Sequence, residues 1–278
     1  DQMKTKKLQG DQFFQLLSKA YGKAYLQARI VAAISQRELR LRASKGLLGV
    51  AGVFIEPILG IATFMALRLL TGARTDYINP LLSLSLGFIP FFLFSDVAIK
   101  SLDGVQKNSK LYFYRRIKPL DALFGDAFLT TQVYGILMLF LYVSVSAWEW
   151  NFSIEVLGIL SILFIIVAIF GLGVGLNTLI FGHRLPLLAL FVRLTVRRLL
   201  LFTSCVFFPI RLIPDQFRIW ILWNPLAHGI ELMRHAVNPA YPIPGVSMSY
   251  FLFSSLGLLF IGFLIYGNNE QLLLADDP

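Results

Sequence analysis

The sequence predicts an all-α polytopic membrane protein. It has six transmembrane helices, an N-terminal amphipathic interfacial helix, and a re-entrant helical pair between the fifth and sixth spans. Three observations carry this reading. Of 278 residues, 56% are hydrophobic and only 15% are charged, where a soluble domain is nearer a quarter charged. Six apolar runs are each long enough to cross a hydrocarbon core of about 30 Å. Lys and Arg are distributed unevenly among the connections, as a fixed orientation requires.

Residues 1–45 read as a cytosolic, amphipathic and basic segment, and 46–278 as one transmembrane domain. Residues 1–12 are polar, and the first long apolar run starts only after Lys45, unlike a secretory signal. In FFQLLSKAYGKAYLQARIVAAI (13–34), Phe13, Leu17, Tyr21, Ala24, Ala28 and Val31 recur at three- and four-residue spacing. They define one helical face. A helix lying on the cytosolic leaflet fits this pattern; a helix packed on the protein's own loops is the plainer alternative. The basic stretch RELRLRASK (37–45) leads into the membrane.

The first span is read at 47–69, interrupted only by Glu56 and Arg68. The second, 78–99, contains Asp96, and the third, 122–147, starts near Asp126 and ends before Trp148 and Trp150. The fourth, 154–181, is very apolar and carries GLGVG (171–175), which permits close helix approach. The fifth is 186–209 and the sixth 249–266. Residues 209–245 hold apolar runs broken at Pro214, Pro225 and Pro239. Neither half spans alone, so two short helices that dip in and return are expected.

Residues 1–45 hold ten Lys and Arg, and 100–118 hold six. The connection between the third and fourth spans holds none and carries Glu149 and Glu155 instead. The N-terminus, the loop at 105–120 and the C-terminus are therefore expected in the cytosol. The net charge of +9 is read as this orientation signal, and no nucleic-acid partner is expected.

Several chemistries find no support. The only Gly-Lys is Gly22-Lys23, followed by Ala24, so there is no Walker A motif. Cys205 is the sole cysteine and cannot form an internal disulfide. His228, Glu231 and His235 have helical spacing, but a metal or catalytic role is disfavoured. Pairing of Glu231 with Arg234 or Arg218 in a partly exposed helix is the preferred reading. No nucleophile–base arrangement is visible.

Taken in order, the segments resemble a known family. RELxLR precedes the first span, which holds Glu56-Pro57. IPFFLF (89–94) lies in the second, and YFYRRIKPLDALFGD (112–126) leads into the third. SCVFFPIxLIP and LWNPLxHxIELxRxAVxPxY follow. This order resembles the permease subunit of ABC-2 type exporters, and most closely the capsular polysaccharide export branch. The resemblance implies a homodimer of twelve spans in the bacterial inner membrane. Two separate ATP-binding-cassette subunits would bind ATP, leaving this chain with no cofactor, metal or covalent chemistry of its own. It implies a lipid-linked, acidic polysaccharide as cargo, and periplasmic and outer-membrane proteins as collaborators. It also implies that the 105–120 loop, with Tyr112, Phe113, Tyr114, Arg115 and Arg116, inserts into a groove on the ATPase.

The fifth span poses the sharpest question. Arg193, Arg197 and Arg198 lie within it with no acid between them. On insertion scales a central Arg costs roughly 2.5–3.5 kcal/mol. At 1.5 Å per residue, Arg193 lies ~10 Å in from Pro186 and Arg198 ~18 Å. Three fates are open: snorkelling for Arg193, a salt bridge from Arg198 to Glu56 or Asp96, or a wet, positive conduit for an anionic cargo. Glu56 belongs to that candidate conduit. Trp220 and Trp223, with Phe207 and Phe208, are candidates for stacking on sugar faces, or for interfacial anchors. Competing functions are an ABC-2 exporter of another cargo, a polytopic enzyme acting on lipid phosphates, and a membrane scaffold.

Overall fold

The computed structural model describes residues 25–41, 44, 46–71, 77–107 and 118–275. Among these the regular structure is helical throughout. The order is α1 (25–41), α2 (Leu47–Thr71), α3 (Pro80–Lys107), α4 (Pro119–Trp148), α5 (Ile154–Arg184) and α6 (Pro186–Leu194). A π turn (Thr195–Leu199), α7 (Leu200–Thr203) and a 3₁₀ turn (Ile210–Leu212) follow. Then come α8 (Asp215–Ile221), α9 (Pro225–Val237) and α10 (Met248–Ala275).

Local chemistry fixes the boundaries. Gly46, at φ +74°, supplies the left-handed residue before α2. Pro119, Pro186 and Pro225 occupy first-turn positions, where a missing N–H costs nothing. The Asn224 side chain caps α9 by accepting from the Leu226 N–H at 3.0 Å. The Lys118 N–H donates to Asp121 at the start of α4, at 3.0 Å. Several helices outrun the predicted spans: α3 continues to Lys107 and α10 to Ala275. Hydropathy marks where the apolar slab ends, whereas a helix ends where its hydrogen bonds do.

Among the described residues five helices, α2, α3, α4, α5 and α10, contain stretches long and apolar enough to cross a membrane. The predicted fifth span differs from them. Its helical path is shorter than 186–209 and comes in three pieces, ending at Thr203. Cys205, at φ +56°, turns the chain, so Phe207 and Phe208 lie outside the helix.

The core forms around α3. Of its apolar window 83% is buried, against 11% for α2 and 17% for the last span. Phe91, Phe94, Leu84, Leu86, Ile89 and Leu93 fill it. The GLGVG stretch acts as read: a Cβ on Gly171 would sit 2.9 Å from the Phe94 carbonyl oxygen of α3. One on Gly173 would sit 2.8 Å from the Leu259 nitrogen of α10. Both obstacles are backbone and cannot swing away. Gly171→Leu or Gly173→Leu is expected to cost about 1–3 kcal/mol or more, read as a lower melting temperature in detergent. Gly158→Leu is the control, because its added Cβ meets nothing within 4 Å.

A helix is present over part of the segment read as interfacial; Phe13, Leu17, Tyr21 and Ala24 lie outside the described residues. α1 docks on α4 through buried Ile34 and Ser35, with the Ser35 hydroxyl donating to the Gly125 carbonyl at 2.9 Å. Two short helices do occupy the 209–245 region. α9 is built into the bundle with eight buried residues, while α8 has none.

Candidate functional site

The arginines of the fifth segment meet acids from two other helices. α3 carries Asp96 and Asp103 seven residues apart, on one face and about 10 Å apart along the axis. α6 runs antiparallel to it. Arg193 pairs with Asp103. Arg197 reaches both Glu56 oxygens on α2 at 3.3 Å and Asp96 at 3.5 Å. Asp96 also receives Lys100 Nζ at 3.2 Å and the Tyr134 hydroxyl at 3.2 Å.

This arrangement revises the sequence reading on two counts. Arg193 ion-pairs with the end of α3 instead of snorkelling. The intramembrane acids pair with Arg197, and not with Arg198. The π turn follows Arg193 and contains both Arg197 and Arg198: the Leu200 N–H bonds back five residues to the Thr195 carbonyl. π turns of this kind commonly sit at functional sites.

Arg198 makes no hydrogen bond or ion pair with a described residue, and it is exposed. With Arg197 and Glu56 it lines a cavity of about 330 Å³, walled by Leu59, Phe91, Phe92, Ser95 and Leu201. Three cations (Lys100, Arg197, Arg198) meet two carboxylates (Glu56, Asp96) in this cluster. Among the described residues of this cluster the cations outnumber the carboxylates by one, and Arg198 is the cation without a described partner.

A second polar network holds this segment in place. Arg234 on α9 is wholly buried, as is Glu231. All five guanidinium donors are used. Nε and Nη2 donate to the Ser83 carbonyl on α3 at 3.3 and 3.2 Å. Nη1 donates to the Cys205 carbonyl at 2.7 Å and to Glu231 at 2.6 Å. Nη2 also donates to the Val206 carbonyl at 3.0 Å. Glu231 accepts further from the Ile210 N–H at 3.2 Å and the Tyr241 hydroxyl at 2.9 Å. Burial, helped by Glu231 and opposed by Arg234, pushes the Tyr241 hydroxyl well above the phenol range, so it remains a donor.

Arg234 thus ties the end of the arginine-bearing helix to α3. Space for it depends on Gly87, where a Cβ would lie 2.5 Å from the Val206 oxygen and 2.9 Å from Arg234 Nη2. The sequence paired Glu231 with Arg234, but placed them in a partly exposed helix. Their full burial comes from tertiary packing, which the Glu-x-x-Arg spacing does not encode. Arg218 pairs with Asp215 instead, at 2.5 Å.

The remaining candidates do not converge on this cavity. The His228 ring bonds the Leu222 carbonyl through Nε2 at 2.8 Å and accepts from the Ser247 N–H at 2.9 Å. Burial lowers its pKa and favours the neutral ring, outweighing the Leu222 bond, which acts in the opposite direction. His235 Nδ1 faces the Tyr241 carbonyl at 2.8 Å. The two rings and Glu231 are therefore each committed to protein groups. Trp220 and Trp223 stand 74% and 75% exposed on and beside α8, away from the cavity lining. Phe207 is not a free sugar platform: it is buried and stacked on Phe64 at 4.1 Å. Tyr112, Phe113, Tyr114, Arg115 and Arg116 lie outside the described residues.

Comparison with known proteins settles the family. The ABC-2 type transporter pattern matches residues 30–238, about three quarters of the chain. The chain belongs to the ABC-2 type transporter family. The matched stretch of this ABC-2 transporter holds Glu56, Asp96, Arg197, Arg198, Glu231 and Arg234, and ends before Tyr241 and α10. The polysialic acid transport protein KpsM of Escherichia coli is 33% identical over 260 residues, covering 90% of this chain and 97% of its own. The capsule polysaccharide export inner-membrane protein BexB of Haemophilus influenzae is 22% identical over 246 residues, covering 87% and 92%. The corresponding protein CtrC of Neisseria meningitidis is 20% identical over 242 residues, covering 86% and 91%.

Proposed function

We propose that this chain is the permease subunit of an ATP-driven exporter that moves a lipid-linked, acidic capsular polysaccharide across the bacterial inner membrane. The observation that carries the reading is Arg198: an uncompensated charge in a cavity among membrane-spanning helices. A polyanion is a mobile counter-ion for such a group. The relatives named for polysialic acid transport and capsule polysaccharide export support the cargo class. Delocalised, weakly hydrated guanidinium attracts sugar carboxylates while leaving them mobile, provided few sites bind them bidentately.

Two copies complete the conduit in this reading. The thinly packed α2 and the exposed Arg197 and Arg198 face a second chain, giving twelve spans. Two ATP-binding-cassette subunits bind the nucleotide, and periplasmic and outer-membrane proteins carry the polymer onward. Segment 1–45, the 105–120 loop and both termini lie in the cytosol, and 209–245 dips into the outer half of the membrane. The enzyme alternative needs Glu56 or Asp96 free for acid–base work, and both are ion-paired.

Co-purification tests the coupling. An ATPase is expected to copurify, with its hydrolysis stimulated in the complex. Tyr112→Ala with Phe113→Ala is expected to weaken the association while insertion stays intact. Unchanged complex yield and export would refute the docking role. Orientation has its own check. Asn108→Cys should label only from the cytosolic side with an impermeant thiol reagent, and Phe152→Cys only from outside. Native Cys205 is 3% exposed and should stay silent. Equal external labelling at both positions would reverse the assignment.

A further inference from the structure

A second cationic cavity lies on α1 and shares no lining residue with the cavity of the fifth segment. Its walls are Ala33, Gln36, Arg37, Arg40, Leu41 and Ser44, around about 530 Å³. The rotation of α1 is locked by its seat on α4. Ile34 is 6% exposed and Ser35 5%, and a Cβ on Gly125 would meet Ile34 Cγ2 at 2.9 Å. With that face inward, Gln36, Arg37 and Arg40 must project outward. Arg37 and Arg40 are three residues apart and so share a face. Neither has a hydrogen bond or ion pair with a described residue.

The seat lies near the start of α4, six residues past Pro119, about 9 Å along the helix. That is the boundary region of a candidate span. Exposed Tyr25, Leu26, Leu39 and Leu41 give the same helix an apolar component. Two unpaired guanidiniums, an amide and a hydroxyl, rimmed by Ala33 and Leu41 at a membrane boundary, suit one class of ligand. We infer that this cavity holds the headgroup phosphate of an anionic phospholipid in the leaflet where α4 begins.

The paired guanidiniums match phosphate oxygens bidentately. The apolar rim suits the glycerol and upper acyl carbons of a lipid. A free phosphate ion has no use for it, and fills far less than the cavity. A diffuse polybasic surface would also attract anionic lipid, but it would not depend on the shape of the cation. This distinction makes the site testable.

The full chain, purified in detergent, would be titrated with phosphatidylglycerol and with phosphatidylcholine, and retained lipid counted by native mass spectrometry. The wild type is expected to hold one phosphatidylglycerol per chain, with at least a tenfold preference over phosphatidylcholine. R37Q/R40Q should lose that preference at an unchanged melting temperature. R37K/R40K, which keeps charge without the planar fork, should lose most of it. Arg29→Gln, on the same helix but outside the cavity, should lose none. Equal retention of phosphatidylcholine, full retention by R37K/R40K, an equal loss with Arg29→Gln, or displacement by millimolar inorganic phosphate would each overturn the assignment. If R37Q/R40Q does not fold, the Lys variant and the phosphate competition still decide.

Discussion

Replacing Arg234 by Met is expected to abolish accumulation of folded protein. The substitution leaves Glu231 charged in a site without solvent. Removing one partner of a buried ion pair costs about 3–5 kcal/mol, a large share of a typical total stability. It also leaves the non-helical carbonyls of Cys205 and Val206 without the donor that Arg234 supplies. Arg234→Lys should rescue little, since an ammonium offers three donors where five are used. Adding Glu231→Gln to Arg234→Met removes the stranded charge but not the orphaned carbonyls, so recovery should be partial. Detergent-solubilised protein, followed by size-exclusion profile and melting temperature, gives the readout. A monodisperse Arg234→Met protein with an unchanged melting temperature would show that the network does not hold the fold.

Arg198→Gln is expected to do the opposite: export of an acidic polymer falls at least tenfold while fold and assembly are kept. Arg198 has no described partner to strand, and Gln keeps hydrogen-bonding capacity while removing the charge. Arg198→Lys should restore part of the export, because charge returns without the fork. Arg197→Gln is the informative contrast. It releases Glu56 and Asp96, although Asp96 keeps Lys100 and Tyr134. The Arg197–Glu56 pair is about half exposed, so screening holds its contribution to about 1 kcal/mol, and the more buried Asp96 is left with its other two partners. Pairing Arg197→Gln with Glu56→Gln should recover that loss without recovering all of the export. Polymer at the cell surface, alongside the melting temperature of each variant, separates the two roles.

The bundle was legible wherever hydropathy alone decides it. The runs behind α2, α3, α4, α5 and α10 could be read directly, and the GLGVG stretch announced its close contacts. The fifth segment was harder. The pairing of Arg193 and Arg197 depends on acids in α2 and α3, ninety or more positions away in the chain. Sequence spacing shows which residues share one helix face. It does not show which acid from another helix arrives there, so a bridge from Arg198 to Glu56 or Asp96 stays open in the sequence, although Arg197 is the residue that makes it. Nor does the sequence point Arg193 to Asp103, which sits beyond the apolar run read as the second span. The Glu231–Arg234 pair was visible at helical spacing. Its burial was not, because it follows from α9 packing into the bundle against α3, α5 and α10.

The central claim is that a surplus positive charge among the spans reads the charge of the cargo. Transport into sealed vesicles tests this most directly, with the permease and its ATPase reconstituted together and ATP supplied. Two polymers of equal length are compared: an acidic polysaccharide, and the same chain with its carboxylates reduced to alcohols. The wild type should move the acidic polymer at least tenfold faster than the reduced one, and Arg198→Gln should erase that preference. Equal transport of both polymers by the wild type, with the same rates in Arg198→Gln, would contradict the account.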